Sequence, residues 1–276
     1  MGHAPRLCPP RSIAYNGRMS FIASIVTLAL GLFVGMLVLL EVGRRLSLQR
    51  QERDPDASRA GFAAIEGSVF GLMGLLIAFT FSGASSRFEA RRALIVEEAN
   101  AIGTAWLRLD LLAESAQLDL RERFRAYLDS RLDVYGSFAD VDTARAKLER
   151  STELQTGIWK AAVAACEEQP RPQATMLLLP ALNEMIDVTT TRWMATQFHQ
   201  PTIIFAVLMV LALASSLLAG YGLVGSRRQR WIHMIGFAAI TAIAIYVILD
   251  LEYPRRGFIR VDAADQVLID LRASME

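Results

Sequence analysis

The chain has 276 residues, 53% of them hydrophobic and 21% charged, and a formal net charge of only +1. Such a composition excludes a disordered chain. The near-neutral balance leaves no strongly basic face for nucleic acid, so no nucleic-acid partner is expected. The apolar residues are concentrated in four nearly or wholly uncharged runs, Ser20–Leu40, Gly67–Ser86, Pro201–Ser226 and Trp231–Leu249, each of bilayer-spanning length. Backbone polar groups in hydrocarbon must be satisfied within their own segment, so each run is expected to be a helix. The expectation is an all-α membrane protein: four transmembrane helices, with an extramembrane helical bundle formed between spans 2 and 3.

Residues 1–18 show no periodicity and carry Pro5, Pro9 and Pro10, after which Met19 opens directly onto the first run. They read as a disordered tail or as a start set too far upstream. A cleaved signal peptide is the rival reading, but the run is long for an h-region and no A-x-A site follows it. Within span 1, Ala23, Thr27, Gly31 and Gly35 place small residues four apart on one face, a seam that lets another backbone come close.

The connection Gly43–Ala60 holds Arg44, Arg45, Arg50, Arg53 and Arg59, broken at Pro55, and the link between spans 3 and 4 holds Arg227, Arg228 and Arg230. Arginine in short loops marks the cytoplasmic side. Arginine makes up 27 of the 29 basic residues, a bias that hints at a GC-rich bacterial gene. In a bacterial inner membrane the rule makes both termini and the domain at 87–200 periplasmic. Arg87, Arg91 and Arg92 after span 2, and Arg255, Arg256 and Arg260 after span 4, pull the other way.

Span 2 has the most organised surface. Gly67, Gly71, Gly74, Ala78, Ser82 and Ser85 recur at three- and four-residue steps, and beside them Phe70, Ile77, Phe81 and Phe88 form a bulky line. This pattern suits a helix that packs against two different partners. Repeated around a symmetry axis, it would make a narrow apolar constriction. Glu66 lies near the start of the span beside Phe70 and Met73, and an acid in a membrane helix is a candidate functional group.

The helical pattern continues without proline through SSRFEARRALIVEEANAIGTAWLRLDLL. Glu97, Asn100, Thr104 and Arg108 share one face, and Arg87, Arg91, Glu98, Ala105 and Leu109 another. Charges set among Leu94, Ile95, Val96, Ile102 and Trp106 imply that most of the circumference is covered. Buried charges need partners, which are expected for Arg91, Arg92, Glu97 and Glu98. Ser115–Ser137 and about Asp140–Glu168 follow as helices, ended by Pro170 and Pro172. A further helix is expected from Pro180, with Asn183 and Asp187 as i,i+4 neighbours and Glu184 alongside. After span 4, Asp250 and Glu252 precede Pro254, Arg255 and Arg256, and Ala263–Met275 suits a short amphipathic helix.

Cys8 and Cys166 lack a CxxC or repeated spacing, and His3, His199 and His233 have no second ligand at metal spacing. No metal and no cofactor are expected. No GxGxxG, P-loop, HExxH or Ser/His/Asp arrangement occurs, so an enzyme is not expected either.

The segments AFTFSGASSRFEARRALIVEEANAIGTAWLRLDLL, LPALNEMIDVTTTR and ILDLEYPRRGFIRV resemble the bacterial membrane family with a bestrophin-like domain, from span 1 onward. Bestrophins proper are pentameric anion channels with four spans per subunit and an aromatic neck on the second span. The resemblance implies a homo-oligomer in a lipid bilayer, an inorganic anion as the conducted species, Ile77 and Phe81 as neck candidates, and Arg87, Arg91 and Arg92 as an anion-attracting cluster. The alternative is a non-conducting membrane scaffold or sensor whose helical domain binds a partner.

Overall fold

The computed structural model describes residues 11–53, 60–136, 141–222 and 227–275, all in helices, turns and short connections, with no strand among them. In chain order the helices are α1 (Arg11–Arg53), α2 (Ala60–Arg108), α3 (Glu114–Gly136), α4 (Val141–Glu168), α5 (Pro172–Gln197), α6 (Thr202–Gly222), α7 (Arg227–Glu252) and α8 (Gln266–Ala273). Four stretches are long and apolar enough to cross a membrane, and each contains most or all of one uncharged run. Cys8, His3, Pro55 and Arg59 lie outside the described residues, as does Ser137 at the expected break after Gly136. α1 begins at Arg11, upstream of Met19.

The chain divides into two compact units. The first, here the bundle unit, comprises chiefly Arg87–Phe198 and Pro254–Glu276. Its helices form because their apolar positions recur at three- and four-residue steps. On α3 the buried residues are Leu120, Phe124, Tyr127, Leu128, Arg131, Val134 and Tyr135. These meet Ile95, Ile102 and Leu109 from the α2 side and Leu178, Leu182 and Met185 from α5 in one hydrophobic core. α4 closes this core with Ile158 and Ala162, and α3 and α4 form the most extensive helix pair of the unit.

One expectation for this unit needs correction. α5 begins at Pro172, not Pro180, and runs through Pro180 as an internal residue. Proline in a helix interior removes one N–H and pushes away the carbonyl four residues back. Here Pro180, Met176 and Leu177 all lie on the exposed side, where a displaced carbonyl can be hydrated, and Arg108 Nη1 donates to the Leu177 carbonyl at 2.5 Å. Pro172 takes the first-turn position that sequence reasoning gave to Pro180. The segment after α7 is a 3-10 turn, Asp262–Asp265, followed by α8. α8 lies within the stretch expected to form a short amphipathic helix, and the segment is built into the core through Val261, Leu268 and Met275.

The second, apolar unit comprises Phe21–Ser86 and His199–Tyr253. Its core gathers Leu32, Met36 and Leu40 of α1, Met73 of α2, Ala212 of α6, and Met234, Ala238, Ile245 and Leu249 of α7. α1 and α6 meet backbone to backbone. A Cβ on Gly220 would lie 2.0 Å from the Leu40 carbonyl oxygen, and one on Gly43 would lie 2.1 Å from that of Leu217. Small residues let membrane helices approach this closely. The seam is made by Gly43, which continues the four-residue spacing of Ala23, Thr27, Gly31 and Gly35 two steps further along; of the two glycines on the expected face, Gly35 has a close neighbour, Leu213, and Gly31 has none.

Candidate functional site

In the apolar unit α2 is covered on one side only. Phe70 packs edge-on against Phe237 at 5.5 Å, and Ile77 and Met73 join the core. The opposite side is open: Gly67, Gly71, Ala78 and Ser82 are exposed, and a Cβ built on Gly67, Gly71 or Gly74 meets nothing within 4 Å. Leu72, Leu75, Phe79 and Phe81 stand on the same uncovered surface. The small stripe and the bulky line thus divide differently than their spacing implies. Phe70 and Ile77 are packing residues within the chain, whereas Phe81 is 45% exposed. Ser85 is half-buried, and Phe88 leans on the core of the bundle unit. Glu66 is half-buried, its carboxylate against Gly222, where an added Cβ would stand 2.7 Å from Oε2.

Within the bundle unit α2 borders a groove of about 560 Å³, lined by Ala93, Val96, Glu97, Asn100, Ala101, Thr104 and Glu184. Glu97, Asn100 and Thr104 therefore share a face as their spacing implies, and Glu184 of α5 joins them. Arg108 turns instead to the Leu177 carbonyl. Asn183 donates to Asp187 at 2.9 Å on the exposed side of α5. Cover is expected around most of this half of α2, and within the chain the groove side is left open.

The arginines after span 2 have separate fates. Arg91 is buried, and its guanidinium caps the end of α5: Nε donates to Ala195 O at 3.0 Å and Nη2 to Phe198 O at 2.9 Å. Arg92 is exposed and pairs with Glu89 at 3.1 Å, one turn back. Arg87 is half-buried. At the far end of the chain Arg255 makes a two-pronged pair with Asp265 at 2.8 and 3.0 Å, and Arg256 is half-buried beside it. In the apolar unit Asp250 and Glu252 are both buried, and Glu252 accepts the Gln200 backbone N–H at 2.8 Å.

The densest polar constellation was not singled out from sequence except through Glu98. This carboxylate is fully buried and accepts from Arg131 Nε at 2.6 Å, from the Tyr135 hydroxyl and from Arg192 Nη1. Arg192 also reaches Asp265 at 3.0 Å, and its guanidinium stacks 3.4 Å over the Tyr135 ring. Nη1 of Arg131 is buried with no hydrogen-bond partner among the described residues. Nearby, the Tyr127 hydroxyl, Thr189 Oγ1 and Gln155 Nε2 form a buried triad at 2.9–3.1 Å. Burial pushes the Tyr127 hydroxyl up and that of Tyr135 well above its usual value. The missed signal was phase: Arg131 and Tyr135 sit on the same α3 stripe as Leu120, Phe124, Tyr127 and Leu128, where a solvated arginine would not be placed.

Nothing in these clusters has the geometry of a nucleophile with its base, and no group of three metal-ligating side chains occurs among the described residues. The class they define is an all-α membrane protein with four candidate spans and a bundle keyed by buried ion pairs. The family model for the bestrophin-like domain matches residues 31–265, so the chain belongs to the bestrophin-like family. No curated protein sequence matches it. Among solved structures it is similar to a bacterial bestrophin homologue from Klebsiella pneumoniae. One variant of that protein has a TM-score of 0.67 at 14% identity, with 91% of this chain and 98% of that chain covered. A second has a TM-score of 0.67 at 15% identity, with coverage of 90% and 98%. At such identities the likeness is one of fold.

Proposed function

We propose that this chain is the subunit of a homo-oligomeric, bestrophin-type anion channel in the bacterial inner membrane, with α2 facing the axis. One observation carries the reading: within the apolar unit α2 keeps one side uncovered from Gly67 to Ser82, small and apolar along its length. A helix bare along one side needs lipid, water or another subunit against it. In this reading Phe81 narrows the passage, Ile77 backs it from within the subunit, and Arg87 and Arg92 supply positive charge near its end, Arg91 being engaged with α5. Both termini and the bundle unit are assigned to the periplasm on the arginines of the two short loops.

A second reading, a non-conducting scaffold or sensor, is favoured by the groove itself, whose charged residues Glu97 and Glu184 are acidic and unsuited to an anion path. Reconstitution into liposomes decides between them. The channel reading expects chloride flux that falls on bulky substitution of Gly74. Sealed vesicles with no anion flux at any voltage or pH would leave the scaffold reading standing.

A further inference from the structure

Around α2 between Ala93 and Trp106, apolar side chains occur at nearly every azimuth. Leu94, Ile95 and Val96 are consecutive, and Ala99, Ala101, Ile102 and Ala105 follow. With 3.6 residues per turn, each residue is rotated by roughly 100° from the last. Apolar contact is not directional, so a surface this broadly apolar discriminates poorly between neighbouring rotations. Hydrogen bonds and ion pairs do discriminate, and Glu98 concentrates them. It is held from α3 by Arg131 and Tyr135 and from α5 by Arg192, which is itself fixed to Asp265. Its neighbour Glu97 has the same functional group one step around the helix, yet it is exposed on the groove.

Stability alone is a weak account of this cluster. Taking charges out of water is costly, and apolar replacement of a whole buried ion cluster is often neutral or stabilising. What apolar residues cannot supply is a direction. We propose that Glu98 is a positioning residue: its bonds to Arg131, Tyr135 and Arg192 fix the rotation of α2 about its own axis and so hold Glu97 and Asn100 on the groove. The proposal concerns the bundle unit and stands whether or not the chain conducts.

The test uses the full chain in nanodiscs, in a C8S/C166S background. Maleimide labelling rates are compared for N100C, exposed in the structure, and A99C, buried. The triple replacement E98L/R131M/R192M is expected to unfold at or above the wild-type temperature. Its N100C-to-A99C labelling ratio should nonetheless fall about tenfold, the shift that 1.4 kcal/mol produces, whereas E97Q leaves the ratio unchanged. A triple variant with the wild-type ratio overturns the proposal. So does one that fails to fold, because the cluster then serves stability.

Discussion

The Arg91 guanidinium reaches across from α2 to the Phe198 carbonyl at 2.9 Å while donating to Ala195 O at 3.0 Å. The last carbonyls of a helix have no partner within it, and here a buried cation supplies one. Arg91→Ala removes two charge-assisted bonds and leaves carbonyls unsatisfied, which is expected to cost about 3 kcal/mol. Thermal unfolding in detergent should show the loss, and hydrogen exchange should quicken first at Ala195–Phe198. Arg91→Lys, with a single ammonium in place of a fork, should recover only part of it. An alanine variant as stable as wild type would mean the bonds contribute nothing.

The glycines of the apolar unit make opposite predictions. At Gly220 a methyl group would overlap the Leu40 carbonyl oxygen, and two backbones cannot shift as a flexible side chain can. Gly220→Ala and Gly43→Ala are each expected to destabilise by about 3 kcal/mol or more, the upper range for overpacking. Gly31→Ala meets nothing within 4 Å and should be neutral or slightly stabilising. Matched melting curves for the three variants check this, and equal midpoints would refute it.

Alkaline pH probes the buried phenols. Tyr135 and Tyr127 both have hydroxyls raised by burial. A folded value above the unfolded one means that their contribution is complete below the ordinary tyrosine value, near 10, and is lost as pH climbs beyond it. The unfolding temperature should therefore fall more steeply above about pH 10 than in Tyr135→Phe. Parallel curves for the two proteins would contradict the expectation.

What could be read from the chain alone follows from how local each signal is. The four spans were legible because a charge-free run of membrane length admits one answer in hydrocarbon. α3 and α4 were legible from proline-free stretches ended by Pro170 and Pro172. The start of α5 was misplaced because Pro180 carries the same local signal at a first turn as in an interior, and only the exposed surroundings of Met176 and Leu177 make the interior tolerable. Partners are expected for Arg91, Arg92, Glu97 and Glu98; Glu98 and Arg91 have theirs on other helices and Arg92 has Glu89 one turn back, whereas Glu97 is exposed. That split depends on azimuth, which α2 conceals by being apolar nearly all round. Arg192 and Asp265 are 73 residues apart in the chain, and no local pattern links them.

The open side of α2 makes a prediction about assembly. Gly71→Leu and Gly74→Leu have free space within the subunit, so each chain should unfold near the wild-type temperature. If a second copy covers that side, the same variants lose the oligomer, and mass measurement in nanodiscs will show single chains. Wild-type mass for both variants would remove α2 from the subunit interface.

Near Gly43 and Gly220 two main chains touch where most helix pairs are separated by layers of side chains. No acyl tail fits in such a gap. Swapping lipids, thinning the bilayer or dissolving it in detergent will therefore act on α1 and α6 as on one thick pillar, and any tilt imposed on the first will be shared by the second.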